Sequence, residues 1–410
     1  MAGWGCQEDP AEYCAGGYCP VQKGDTFHGR YRAVHKLGAG YFSTVWLCQD
    51  TVEKRHVAVK VAKGGQSFAE AAQDEISLLQ CVSSMKKKDR AGDNIVHCLR
   101  DFKMLGANGF HVCLVFELLG PSLRCLMRSH GAQGLPLPFV KKALQQVLAG
   151  LQFLHGSCRI IHADIKPENI LLRVDEESLQ KLLHETVAWS RSTDLGLKKP
   201  GILASQSARC SIMKMGVKIA DLGSACWTYK PLAKEIQTQP YRALEVLLGL
   251  EYSTPADVWS TACLAFEMVT GECLFEPRAG KYFSRDDDHV ARIIELLGRI
   301  PPEIAFSWKQ KSKFFSSQGA LLRISRLFPC SLYNTLTDRY NWTNHEAASF
   351  TSFLLPMLEY TPAKRTTAVK CLQHPWLSIQ GSGQPGDLFW EHSQDVYSTR
   401  RRIEDKSVES

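Results

Sequence analysis

Apolar and polar positions change period several times along the chain, and each change marks an element. From Phe27 the residues alternate as a strand does, and two alternating stretches in 37–46 are joined through Gly38-Ala39-Gly40, which predicts a glycine-turned hairpin. Val57-Ala58-Val59-Lys60 continues as the next strand. Residues 68–79 then take a helical period, with Glu75 just before Ile76, Leu78 and Leu79. His111 to Phe116 is an apolar strand that runs into Glu117-Leu118-Leu119-Gly120, a connector between two halves. In residues 161–172 polar side chains are wedged between two apolar runs, and Val217-Lys218-Ile219-Ala220 leads into Asp221-Leu222-Gly223. Downstream, Asp257-Val258-Trp259-Ser260 opens an apolar helix through Met268 that Gly271 should end, and Val290, Ile293, Ile294 and Leu297 mark the buried face of a helix stopped by Gly298.

The pattern predicts an α+β chain of two lobes, β-rich over 27–118 and helical over 119–378. Residues 1–26, rich in Gly, Pro and Cys, have no strong period and look like an extended flank. Residues 174–215 look like an insertion with a short helical stretch near Leu179 to Leu183, and 379–410 like a polar tail.

Composition narrows the function classes. A chain of 410 residues, 44% hydrophobic and 22% charged, can bury a large core and exceeds one compact unit. The net charge of +7 comes from 49 Lys+Arg against 42 Asp+Glu. Its clusters at Lys86-Lys87-Lys88 and Arg400-Arg401-Arg402 suit a solvated surface, and without an aromatic-interleaved basic stripe direct nucleic-acid binding is not expected. The first twenty residues lack a basic head before an apolar run, and apolar stretches elsewhere are interrupted by charge, so neither export nor a membrane span is expected. The fifteen cysteines are scattered singly, which favours reduced, mostly buried thiols over zinc ligands.

The polar residues of 161–172 carry the chemistry. A hydroxyl attacks a phosphoryl group only if something takes its proton, a cation offsets charge at the phosphate, and a metal ion is held in place. Asp164, Lys166 and Asn169 supply these parts in that order, and Asp221 adds a second ligand for Mg²⁺. Lys60, at a strand end, can reach the α- and β-phosphates of ATP, and Glu75 can hold it there. The turn Leu37-Gly38-Ala39-Gly40-Tyr41-Phe42-Ser43-Thr44-Val45 lets backbone N–H groups approach phosphate oxygens, although Ser43 stands where a third glycine is usual. Val45, Ala58 and Leu171 could wall an adenine, with the backbone of Glu117 and Leu119 along its edge. Each piece alone also fits a hairpin, a solvated helical acid or ordinary core; their order along the chain favours the site. Glu245 and Arg365 could form a buried pair that fixes the end of the segment starting at Asp221.

Gly38/Gly40, Lys60, Glu75, Asp164, Asn169, Asp221, Glu245, Asp257 and Arg365, in this order over residues 27–378, resemble the bilobal eukaryotic protein kinase fold. Within it the chain resembles the SR-protein kinases. The carriers are Glu8-Asp9-Pro10 with Tyr13, Gly16-Gly17-Tyr18 and Gly24-Asp25; Phe42-Ser43-Thr44-Val45-Trp46-Leu47; Gly134-Leu135-Pro136-Leu137-Pro138; Ile219-Ala220-Asp221-Leu222-Gly223; Gln237-Thr238 with Tyr241-Arg242; and Asp287-Asp288-His289. The insertion sits where that family splits its kinase domain, and Ala163 stands where the family usually has a polar residue. The resemblance implies a monomeric, ATP- and Mg²⁺-dependent serine/threonine kinase acting on Arg-Ser-rich splicing factors, in cytoplasm and nucleus. The rivals are a related kinase with other Ser/Thr substrates and a pseudokinase scaffold.

A net charge of +7 should repel an arginine-rich substrate, so a local acidic groove is needed. Asp287, Asp288 and Glu295 are the candidates for docking, the last two being seven residues apart and on nearly the same helix face. Equally, the Asp run could simply cap that helix.

Overall fold

Six strands of the first lobe make one antiparallel sheet: β1 (Thr26–Phe27), β2 (Tyr31–Gly40), β3 (Ser43–Asp50), β4 (His56–Ala62), β5 (Cys98–Gly106) and β6 (Gly109–Glu117), in the order β1-β2-β3-β4-β6-β5. The period of two sorts its faces. Val57, Val59, Val61, Cys113 and Val115 pack on one side with Phe27, Tyr31 and Trp46. Ala58, Ala62, Val112, Leu114 and Phe116 pack on the other, against Ala72, Ile76 and Leu79 of helix α1 (Gln66–Lys86). Lys60 lies between Ala58 and Ala62, so the alternation delivers it to the helix side, where Glu75 waits. The computed structural model describes residues 8–130, 134–174, 212–231, 235–305, 314–316 and 318–378. The helical stretch expected near Leu179 to Leu183, nearly all of the 174–215 insertion and the tail from 379 fall outside them.

The described part of the flank, expected to be extended, turns and packs against the first lobe. Asp9 caps a 3-10 turn, Pro10–Glu12, and Tyr18 and Cys19 are buried. Backbone bonds tie it to the strand-helix junction, Gly64 N–H to Gly17 O (2.9 Å) and Gly65 N–H to Gly16 O (2.8 Å). A Cβ on Gly17 would lie 1.9 Å from Glu12 O, so only glycine closes this turn.

The second lobe contains α2 (Leu123–His130), α3 (Leu137–Gln152), α4 (Pro255–Thr270), α5 (Arg285–Leu297) and α6 (Asn344–Leu354). Short strands frame the site: β7 (Ile160–Ile161) pairs with β10 (Cys226–Trp227), and β8 (Ile170–Arg173) with β9 (Gly216–Ile219). Every residue of α4 from Ala256 to Thr270 is buried, as expected of a helix apolar on nearly all sides. Gly271 ends it at φ 79°, donating its N–H to Glu267 O (2.8 Å). Among the described residues no helix is long and apolar enough to cross a membrane.

Candidate active site

Lys60 Nζ donates to both oxygens of Glu75 (2.8 Å each) and to Asp221 Oδ1 (3.0 Å). Strand β4, helix α1 and the stretch after β9 thus meet on one ammonium. Burial works against the Lys60 charge, but Asp221 and then Glu75 outweigh it and hold its pKa above the ordinary lysine value. Against its own burial, Asp221 is held well below the usual carboxylate range, chiefly by Lys60. Both groups are therefore charged at neutral pH.

The catalytic loop hangs from helix α4. Buried Asp257 accepts the backbone N–H of His162 (2.8 Å) and of Ala163 (2.9 Å) and pairs with His155 Nε2 (2.8 Å). These bonds hold Ala163 in the left-handed region (φ 65°), a conformation costly for a residue with a Cβ. His162 bridges onward: its Nδ1 accepts the Asp164 N–H (3.2 Å), which leaves Nε2 to donate to Ala220 O (3.1 Å). The Asp164 carboxylate is thereby set beside Lys166 Nζ (2.7 Å) and the side-chain amide of Asn169 (3.1 Å).

Thr238 completes the group and was not singled out for this role by spacing. Its hydroxyl donates to Asp164 Oδ1 (2.8 Å) and accepts from Lys166 Nζ (2.8 Å), 74 residues along the chain from Asp164. A hydroxyl held between that carboxylate and that ammonium occupies the environment a reacting hydroxyl needs.

The expected adenine walls Val45, Ala58 and Leu171 are all buried in the main hydrophobic core, and Leu37 and Leu119 pack half-buried against it. Gly38, Ala39 and Gly40 pair with Val45, Thr44 and Ser43 across the hairpin, with Tyr41 and Phe42 at its tip. The Glu117 side chain is engaged elsewhere, accepting from Lys218 Nζ (2.6 Å) and His97 N–H (2.7 Å), and its backbone N–H donates to His97 O (3.0 Å), so neither group is left to face a base.

The protein kinase domain model matches residues 31–377. SRSF protein kinase 3 of Homo sapiens is 37% identical over an alignment 512 positions long, covering 91% of this chain and 90% of the relative. The serine/threonine-protein kinase SRPK of Physarum polycephalum is 40% identical over 390, covering 90% and 91%. Protein kinase dsk1 of Schizosaccharomyces pombe is 33% identical over 461, covering 90% and 85%. The chain belongs to the SR-protein kinase family.

In this SR-protein kinase the described residues of the segment after Asp221 are held by hydrogen bonds and a buried ion pair. Gln237, at φ 69°, donates its N–H to Ala163 O (2.9 Å) and its amide to Ala256 O and Ser260 Oγ (2.8 Å each), and accepts the Ala243 N–H (2.9 Å). Arg242 donates to Gln237 O (3.0 Å). Glu245 receives Arg365 through two bonds of 2.7 and 2.8 Å. Ala163, preceding Asp164, offers no guanidinium for a phosphorylated residue to order. Enzyme treated with phosphatase should therefore keep most of its rate on an Arg-Ser peptide. A fall on the order of a hundredfold would mean that a phosphate orders the segment.

The proposed docking acids of this SR-protein kinase are engaged within the chain. Asp287 is 4% exposed, forms a capping box with Ser284 and accepts Arg323 (2.9 Å), so it is a helix cap rather than a groove carboxylate. Asp288 accepts the Arg278 N–H (2.8 Å) and Arg292 Nε (2.7 Å), one turn along α5. Glu295 accepts the Phe328 N–H (2.9 Å). Asp287 is thus withdrawn into the helix cap, whereas Asp288 and Glu295 remain half-buried at the surface of α5.

Proposed function

We propose that this enzyme transfers the γ-phosphoryl group of ATP to serine hydroxyls in Arg-Ser-rich splicing factors. The observation that carries the reading is the Thr238 hydroxyl between Asp164 and Lys166, because a substrate serine placed alongside meets the same two groups. Asp164 orients the serine oxygen toward phosphorus and accepts its proton as the new P–O bond forms and the bond to ADP breaks. Lys166 neutralises charge growing on the transferring group, and Lys60 holds the α- and β-phosphates while Glu75 fixes Lys60. The amide of Asn169 and the carboxylate of Asp221 are hard oxygen donors that suit Mg²⁺, which when bound offsets phosphate charge. The names of the relatives support the substrate class, and that substrate supports a working place in both cytoplasm and nucleus.

The test is phosphate transfer from Mg²⁺-ATP to an Arg-Ser peptide and to a serine peptide without arginines, each compared with Asp164→Ala. Transfer that prefers the Arg-Ser peptide and disappears in the variant is expected. Equal rates on both peptides would overturn the substrate class, and no transfer to either would favour a scaffold without catalysis.

A further inference from the structure

The glycine turn is held from outside the family-matched region. Its tip stands largely in solvent, Tyr41 being 67% and Phe42 55% exposed, with both rings edge-on to Phe68 of α1 (6.2 and 6.1 Å). What fixes it lies in the flank. Tyr18, itself buried, donates its hydroxyl to Gly40 O (2.7 Å), and its backbone is held by Asn108 Nδ2 on Tyr18 O (2.6 Å). Burial, and then Glu12, push that hydroxyl up to about 12, so it stays a donor at neutral pH. Beside it, buried Lys63 stands 4.4 Å from the Tyr18 ring, 4.6 Å from Tyr41 and 5.3 Å from Phe68, with Glu12 Oε2 at 3.0 Å. The Lys63 N–H also donates to Phe42 O (3.0 Å). Further back, Lys36 of β2 pairs with Glu8 and donates to Tyr13 Oη (3.0 Å).

We propose that residues 8–18 brace the phosphate-covering turn, with Tyr18 and Lys63 as positioning residues for the transfer reaction. A buried cation held against three rings and a carboxylate is a firm joint. The three rings come from the flank, the turn and the start of α1, and α1 also carries Glu75. One joint therefore sets the turn over the phosphates and the helix that holds Lys60. Without it the hairpin remains paired, but its tip is free to lift.

The proposal rests on the turn covering ATP, and the experiment separates the two. Tyr18→Phe and Lys63→Met would be compared with the parent for KM and kcat toward Mg²⁺-ATP and an Arg-Ser peptide, with amide hydrogen exchange over residues 38–44. Tyr18→Phe should raise KM for ATP roughly three- to tenfold, the range set by losing one hydrogen bond, while KM for the peptide and the melting temperature hold. Lys63→Met should do at least as much, and exchange should quicken in 38–44 and not across the sheet. Should Lys63→Met fail to fold, Tyr18→Phe decides alone. Unchanged KM for ATP in Tyr18→Phe would overturn the brace. So would a loss of kcat accompanied by a lower melting temperature and faster exchange throughout the lobe, which marks a merely structural role. If the parent transfers no phosphate, the kinase reading fails, and Mg²⁺-ADP affinity measured by calorimetry still compares the braced and unbraced proteins.

Discussion

Replacing Lys60 with methionine is expected to lower phosphoryl transfer by roughly a thousandfold, comparable to losing a preorganised charge at a developing anion. The methionine keeps the apolar stem between Ala58 and Ala62 while removing the ammonium that Glu75 and Asp221 share. Two carboxylates then face each other without a cation. Burial already pushes Glu75 above the usual carboxylate range, and Lys60 opposes that push, so its loss sends Glu75 higher still. A carboxyl whose folded pKa is raised binds a proton more readily folded than unfolded, so the variant should gain stability as the pH falls through that raised value. Single-turnover kinetics with Mg²⁺-ATP, together with melting curves across pH, check both halves. Near-normal turnover with native melting would show that Lys60 does not hold the phosphates.

Arg365→Ala is expected to cost about 3–5 kcal/mol of stability, because it strands Glu245 as a buried unpaired charge. The arginine side chain is 0% and the glutamate 2% exposed. Besides the two bonds to Glu245, Arg365 donates to Glu359 O (2.9 Å) and Pro255 O (3.0 Å) and lies 5.0 Å from the Trp259 ring. One side chain thus joins the end of the segment after Asp221, the start of α4 and the turn before residue 366. Adding Glu245→Gln to the variant should return part of the loss, since the charge that could not be solvated is gone. Denaturant unfolding of the single and double variants measures this. A single variant within about 1 kcal/mol of the parent would mean that the pair is idle.

The parts of the site that were legible in sequence are those set by short, local spacing. Asp164, Lys166 and Asn169 lie within six residues of one another, and Lys60 takes its face from the alternation of one strand. Thr238 and Gln237 were harder to read because their roles arise only when the segment folds back onto the loop. No periodicity announces that a glutamine will sit at φ 69° and bond five other residues. The flank was misjudged for a related reason: Tyr18 is buried by tertiary neighbours, Asn108 and Lys63, far along the chain. For Asp287, Asp288 and Glu295 the shared helix was legible, but their partners were not: Arg323, the Arg278 amide and the Phe328 amide come from outside that helix.

Asp257 joins the catalytic loop to α4, the most deeply buried helix among the described residues, which gives the enzyme an uneven response to heat. The half of the chemistry that takes the proton is as durable as α4 and should vanish only when the whole second lobe melts. The half that covers the phosphates ends in two exposed rings and is tied to the flank and the start of α1 rather than to α4. As the temperature climbs, the enzyme should lose its hold on nucleotide while the base that awaits the serine still stands in place.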